Sequence, residues 1–214
     1  MTDAATIYVI DDDQAVLLSV KALLSQHGYQ VRCYLSAREF LDDAPLDRCG
    51  CVVTDVQMPD INGIELQQRL LAAKCLLSVV VVTGVADVPM AVTLMESGAV
   101  TLLEKPYDHN DLLHAVERGL AASRVRWQQR QQEQEVLDHL AMLTDEERRV
   151  MELMVAGKPN KAIARGLELG MRTVDRRRQS VLEKMGVETV PELALLLGTA
   201  GAAEPGSRAR SATI

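Results

Sequence analysis

The sequence predicts an α/β protein: a doubly wound, five-stranded parallel sheet joined by a helical linker to a small all-α helix-turn-helix domain. Three observations carry this. In residues 1–124, five short β-branched runs alternate with segments of helical spacing, the pattern of a parallel sheet covered on both faces. Residues 125–143 are glutamine-rich and free of Gly and Pro. Residues 144–200 read as helices alone, and the balance of charge changes with them.

The strands are IYVI (7–10), VRCYL (31–35), CVVT (51–54), SVVVVT (78–83) and VTLL (100–103). VVVV at 79–82 is apolar throughout, as a central parallel strand requires. Helices are expected near 14–26, 36–43, 63–73, 87–97 and 108–124, and right-handed crossovers leave few topologies. The stretch 125–143 extends the last of these. Its partial apolar stripe, Val125, Val136, Leu137, Leu140 and Leu143, fits a solvated linker helix and a dimerising coiled coil equally well. Thr144 and Glu147 form a capping box that opens a helix through about Ala156, and Gly157 ends it. A short helix runs from Asn160 to Leu167 and a longer one from Arg172 to Met185; Pro191 stands in the first turn of a last helix, 191–198. The expected division is a sheet domain at 1–124, a linker at 125–142, a helix-turn-helix domain at 143–200 and a disordered, small-residue tail at 201–214.

The net charge of −7 argues against a protein that coats nucleic acid generally. By region the charge is uneven. Residues 1–124 hold 9 Lys+Arg against 17 Asp+Glu, residues 125–214 hold 14 against 13, and residues 158–184 hold 8 against 3. Positive charge is therefore focused on the two short helices. No stretch has the length of a membrane span, and the N-terminus lacks a basic segment followed by an apolar one; the expectation is a cytoplasmic protein with no membrane partner. Cys33, Cys49, Cys51 and Cys75 form no CxxC pair and have no histidine cluster at zinc spacing, so reduced, mostly buried thiols are expected.

Functional groups of an open parallel sheet gather at the carboxyl ends of its strands. Asp11, Asp12 and Asp13 follow the first strand, and Asp55 closes the third. In the strand order 2-1-3-4-5 those strands are neighbours, which brings Asp11, Asp12 and Asp55 together. Clustered carboxylates resist ionising beside one another. Mg²⁺, which takes oxygen ligands and keeps several waters, resolves the conflict. Thr83 ends the fourth strand and Lys105-Pro106 follows the fifth, so a hydroxyl and an ammonium converge on the same edge. An ammonium beside Mg²⁺ is useful when further negative charge arrives, such as a phosphoryl group. Asp55 is then the nucleophile of an acyl phosphate. Each residue alone is an ordinary loop residue; five of them landing at strand ends make a site.

VIDDD, VVTDVQMPDINGIEL, VVVVTGVADVPMAV and LLEKP, in that order, resemble the flavodoxin-like receiver domain of two-component response regulators, over residues 5 to about 124. The resemblance implies that Asp55 is the phosphoacceptor and that Asp12 and Asp55 bind Mg²⁺ directly with the carbonyl of Gln57, Asp11 acting through water. It implies that Thr83 and Lys105 bind phosphoryl oxygens, that Lys105-Pro106 is cis, and that Pro59 and Gly63 shape the loop after Asp55. Asp13 lies outside this set and suits a helix N-cap. The family commonly has an aromatic residue where Leu102 stands, a ring that turns inward as the threonine moves; with Thr83, Leu102 makes the expected switch, weaker or differently biased.

The second signal is two short helices with a tight connection, the second basic, which describes a helix-turn-helix. Ala162, Ile163 and Leu167, then Val174, Val181, Leu182 and Met185, are expected to pack inward, leaving Arg176, Arg177, Arg178 and Gln179 on the other face. The stretch LTDEERRVMELMVAGKPNKAIARGLELGMRTVDRRRQSVLEKMGV resembles the LuxR-type helix-turn-helix, and the whole chain resembles FixJ-type response regulators. The family often has Glu and His where Asp175 and Arg177 stand here, so Arg177 adds a charge. Lys161, Arg172, Thr173 and Arg178 are expected at phosphates, and Asp175, Arg176 and Gln179 at base edges.

Together these imply a response regulator transcription factor, not an enzyme. A histidine kinase phosphorylates Asp55, the chain forms a homodimer on phosphorylation, and two such domains grip double-stranded DNA. Two other classes remain: a phosphorylation-independent regulator working through DNA or protein contacts, which Leu102 keeps open, and an aspartyl-phosphate phosphotransferase, which lacks a visible substrate domain.

Overall fold

The computed structural model describes residues 5–85 and 88–199. The expected tail at 201–214 lies outside the described residues, as does the expected first residue of the fourth helix, position 87. The chain divides into two compact units, Met1–Gln128 and Gln129–Ile214.

In the first unit the elements alternate: β1 (Thr6–Ile10), α1 (Gln14–Gln26), β2 (Gln30–Tyr34), α2 (Ala37–Asp43), β3 (Gly50–Asp55), α3 (Gly63–Ala72), β4 (Ser78–Thr83), α4 (Val88–Glu96), β5 (Thr101–Glu104) and the first part of α5 (His109–Ala141). All pairings are parallel, and the sheet order is β2-β1-β3-β4-β5. Side chains alternate across a strand, and the sheet accordingly has two apolar faces. Tyr8, Ile10, Val52, Val79 and Val81 face Phe40, Leu66, Leu70 and Leu94 of α2, α3 and α4. Ile7, Val9, Val53, Val80 and Val82 face Leu17, Val20 and Leu24 of α1 and Leu112, Val116 and Leu120 of α5. β4 is buried along its whole length, which is why its sequence shows no alternation.

Register positions the chemistry. Ile10 pairs with Thr54, and Asp55 with Val82. Asp11 and Asp55 are therefore the first residues beyond that last pair on two adjacent strands. Thr83 pairs with Glu104, one residue before Lys105. All four groups stand on one edge of the sheet.

The second unit holds the last part of α5, then α6 (Asp145–Val155), α7 (Asn160–Gly166), α8 (Met171–Lys184) and α9 (Val190–Thr199). Its core joins Val150, Met151 and Met154 of α6 to Ile163, Val174, Val181, Met185, Leu193 and Leu197. Thr144 and Glu147 make the expected capping box, and Gly157, at φ +71°, takes the left-handed turn that ends α6. Two packing expectations change. Ala162 is exposed, and Ala164 packs against the core in its place; on so short a helix the apolar stripe is narrow and Ile163 fixes its centre. The stretch 125–143 is neither wholly solvated nor a free apolar seam. Val136 and Leu143 are buried in the second unit's core and Leu140 packs against it, while Val125 and Leu137 are exposed.

Candidate functional site

The acidic edge is built by short-range geometry. Asp13 caps α1, its Oδ1 accepting the backbone N–H of Ala15 at 2.7 Å. This turns the chain so that Asp11 Oδ1 accepts the N–H of Asp13 at 2.9 Å. The other oxygen of Asp11 accepts from Lys105 Nζ at 3.1 Å, and the same ammonium donates to Asp55 Oδ2 at 3.1 Å. Asp55 Oδ1 lies 3.4 Å from the N–H of Gln57. Asp11, Asp12 and Asp55 each offer an oxygen within 4.8 Å of the others. Opposed ligands of one Mg²⁺ stand about 4.2 Å apart, so the oxygen-only donor set has the right size and hardness for that ion. Burial alone would lower the Lys105 pKa; hydrogen bonds and charge from Asp11 and Asp55 outweigh it and hold the pKa above the ordinary lysine value. The Lys105-Pro106 bond is cis.

Thr83 is fully buried, and its hydroxyl is engaged close by: it donates to the carbonyl of Val85 at 3.0 Å and accepts that residue's N–H at 3.3 Å. Its carbonyl accepts the N–H of Lys105 at 2.7 Å. Leu102 is half-buried against the α2–α4 face of the sheet. Sequence reasoning did not single out Tyr107, whose pKa is raised by burial; the Lys105 charge opposes that rise and the charges of Asp11 and Asp55 add to it. Its position two residues past Lys105 is the only signal for it.

Gly63 opens α3 where that helix passes behind Asp55. A Cβ there would lie 2.4 Å from the Asp55 carbonyl oxygen and 3.1 Å from Val56 Cα. These are backbone atoms and cannot swing aside. Gly63→Ala gains about 1 kcal/mol of helix propensity, but overpacking of about 1–3 kcal/mol outweighs it. We expect a lower urea midpoint for the first unit, since the Asp55 backbone must move.

In the second unit, α8 turns 100° per residue. Val174, Val181 and Met185 point inward, so the opposite face carries Arg172, Arg176 and Gln179, with Asp175 at its flank; all four are exposed. Thr173 and Arg178 are half-buried, and Lys161 is exposed on α7. Of the RRR run only Arg176 keeps the expected outward face: Arg178, four residues past the buried Val174, falls back toward the inward stripe and is half-buried, and so is Arg177. The Arg177 side chain, 17% exposed, turns onto α6 and pairs with Glu146. Asp175 accepts a hydrogen bond from Asn160, a residue not singled out from the sequence. Glu147, beyond capping α6, accepts from Ser180 Oγ and Lys184 Nζ, each at 2.7 Å, and so ties α6 to α8.

The receiver-domain family, described as "Response regulator receiver domain", matches residues 7–117, and the family "Bacterial regulatory proteins, luxR family" matches residues 141–197. The chain is 43% identical over 206 residues to the transcriptional regulatory protein FixJ of Azorhizobium caulinodans, covering 94% of this chain and 97% of that one. The chain belongs to the FixJ-type response regulators. FixJ of Rhizobium meliloti is 37% identical over 193 residues, covering 90% of this chain and 94% of that one. Among solved structures, the response regulator StyR superposes with a TM-score of 0.83 at 33% identity, covering 91% of this chain and 98% of that one. Full-length FixJ from B. japonicum gives 0.56 at 37% identity, covering 95% and 100%.

A FixJ-type response regulator is a transcription regulator. Its receiver domain implies a histidine kinase partner, and its LuxR-type domain implies DNA binding. Receiver domains bind Mg²⁺ at an acidic pocket, and Asp11, Asp12 and Asp55 form such a cluster here. No described helix is long and apolar enough to cross a membrane.

Proposed function

We propose that Asp55 accepts a phosphoryl group from the phosphohistidine of a kinase, and that the phosphorylated chain dimerises and binds specific DNA through α8. In this reading residues 1–124 are the receiver, 125–142 the linker, whose later turns pack into the core of the following domain through Val136 and Leu140, and 143–200 the DNA-binding domain. The observation that carries the proposal is the single ammonium of Lys105 lying 3.1 Å from oxygens of both Asp11 and Asp55. A cation shared by two carboxylates is already placed where phosphoryl oxygens would arrive.

A carboxylate oxygen of Asp55 attacks phosphorus. The O–P bond forms as the N–P bond of the phosphohistidine breaks, and the released imidazole nitrogen takes a proton from water. Asp12, Asp55 and the Gln57 carbonyl would hold Mg²⁺, with Asp11 acting through water, and the ion would supply positive charge to the phosphoryl oxygens. Lys105 then exchanges its contact with the Asp55 carboxylate for one with a phosphoryl oxygen. Thr83 leaves its turn with Val85 to donate to another, and Leu102 follows into the space behind it. Arg172, Thr173, Arg178 and Lys161 meet phosphates, while Asp175, Arg176 and Gln179 read base edges. The chain regulates transcription and does not turn over a metabolite.

Asp55→Asn keeps the side-chain shape and removes the nucleophile. Incubated with acetyl phosphate and Mg²⁺, the wild-type chain gains one phosphoryl group by intact mass and the variant gains none. Labelling of the variant at the wild-type rate places the acceptor elsewhere.

A further inference from the structure

Asp175 is the one carboxylate in the first two turns of α8, a helix with arginines at 172, 176, 177 and 178. Arg172 and Arg178 stand three residues to either side, a spacing at which opposite charges pair along a helix. Asp175 pairs with neither. Its Oδ1 accepts a hydrogen bond of 2.6 Å from Asn160 Nδ2, the first residue of α7. Among the described residues Arg177 pairs with Glu146, and Arg172, Arg176 and Arg178 have no carboxylate within 4.0 Å. Asn160 already occupies Oδ1 of this exposed carboxylate, and an exposed pair with a long, mobile arginine is worth little enough for that bond to compete with it. The consequence is electrostatic. The one acid of those two turns that could neutralise Arg172 and Arg178 is held off them.

We propose that Asn160 is a positioning residue for DNA recognition: it holds the Asp175 carboxylate away from Arg172 and Arg178, leaving both guanidinium groups for phosphates, and fixes that carboxylate where it accepts the amino group of one cytosine. This rests on the reading of α8 as the recognition helix. Carboxylates accept from cytosine N4 in the major groove and repel phosphates, so Asp175 contributes selectivity at the expense of general affinity. Without Asn160, Asp175 swings onto an arginine, and both selectivity and phosphate contact fall.

The test uses the full chain treated with acetyl phosphate and Mg²⁺. A duplex is selected from a randomised pool, and affinity is measured for it and for a scrambled duplex. Asn160→Ala weakens binding to both about threefold, the size of an exposed ion pair made elsewhere, and flattens the preference at one base pair per half-site. Asp175→Asn removes about tenfold preference at that same base pair and strengthens binding to the scrambled duplex. In the Asn160→Ala/Asp175→Asn chain the threefold loss disappears, which also shows that Asn160→Ala does not act by misfolding. A loss that persists undiminished in the double variant overturns the proposal and makes Asn160 a direct DNA contact. Wild-type binding by Asn160→Ala overturns it as well. Arg176→Ala separates the two levels. If it loses binding while Asn160 and Asp175 act independently, α8 remains the recognition helix and only the positioning role fails. If it binds as wild type, the reading of α8 fails too.

Discussion

We expect replacing Lys105 by alanine to slow the phosphoryl transfer proposed for Asp55 about 100- to 1000-fold, the usual cost of removing a fixed charge that stabilises a transition state. The side chain crosses from the end of β5 to bond Asp11 and Asp55 at 3.1 Å each. Its loss leaves the Asp11 side chain, 6% exposed, facing Asp55, 12% exposed, without the ammonium between them. The pocket then opposes the arrival of further negative charge. Lys105→Arg does not rescue, because a planar fork cannot occupy the position of a compact ammonium between two carboxylates. The check is the rate of acetyl phosphate labelling at fixed Mg²⁺, with circular dichroism showing the variant folded. A loss of less than about threefold would remove Lys105 from the chemistry.

The second large effect falls on the DNA-binding unit. Glu147 is buried, 8% exposed, yet ionised. Burial pushes its pKa up, but hydrogen bonds from Lys184, the Thr144 N–H and Ser180 outweigh that and pull it down from 4.5 to about 2. A carboxylate with a folded pKa below its unfolded one adds stability that is fully present above pH 4.5 and is lost as pH falls toward 2. The size is about 3 kcal/mol. Glu147→Ala loses this together with the capping box. It is expected to unfold the unit at markedly lower urea at pH 7 and to abolish DNA binding near physiological temperature. Glu147→Gln keeps the shape, weakens the ties, and flattens the pH dependence between about 5 and 2. Urea melts at pH 7, 4 and 3 measure both. Equal pH slopes in wild type and Glu147→Gln would show that the carboxylate carries no such coupling.

The sheet was legible because β-branched runs and helical periods are local signals, and because strand ends are where Asp11, Asp55, Thr83 and Lys105 fall whatever else the chain does. The Asp13 cap and the Thr144–Glu147 box were legible for the same reason: each involves residues two or three apart. What was not legible depends on residues far apart in sequence. Arg177 reads as part of a solvent-facing RRR run, and only the approach of α6 gives it Glu146, 31 positions away. Asn160 and Asp175 are 15 apart on different helices, and Glu147 meets Lys184 across 37 positions. The end of α5 escaped for a related reason. Val136, Leu140 and Leu143 look like a fragment of a stripe until α6 and its neighbours supply the rest of their core. Thr83 shows the other limit, since a strand-end hydroxyl can face the acidic pocket or close on its own turn, and here it bonds Val85.

The central claim is that a covalent change at the Asp55 pocket alters how α8 grips DNA. The most direct measurement is the affinity of the full chain for a duplex selected from a randomised pool, with and without acetyl phosphate and Mg²⁺, for wild type and Asp55→Asn. The account predicts that treatment tightens wild-type binding and leaves the variant unchanged. Equal wild-type affinity in both conditions, with intact mass showing the phosphoryl group in place, would contradict it.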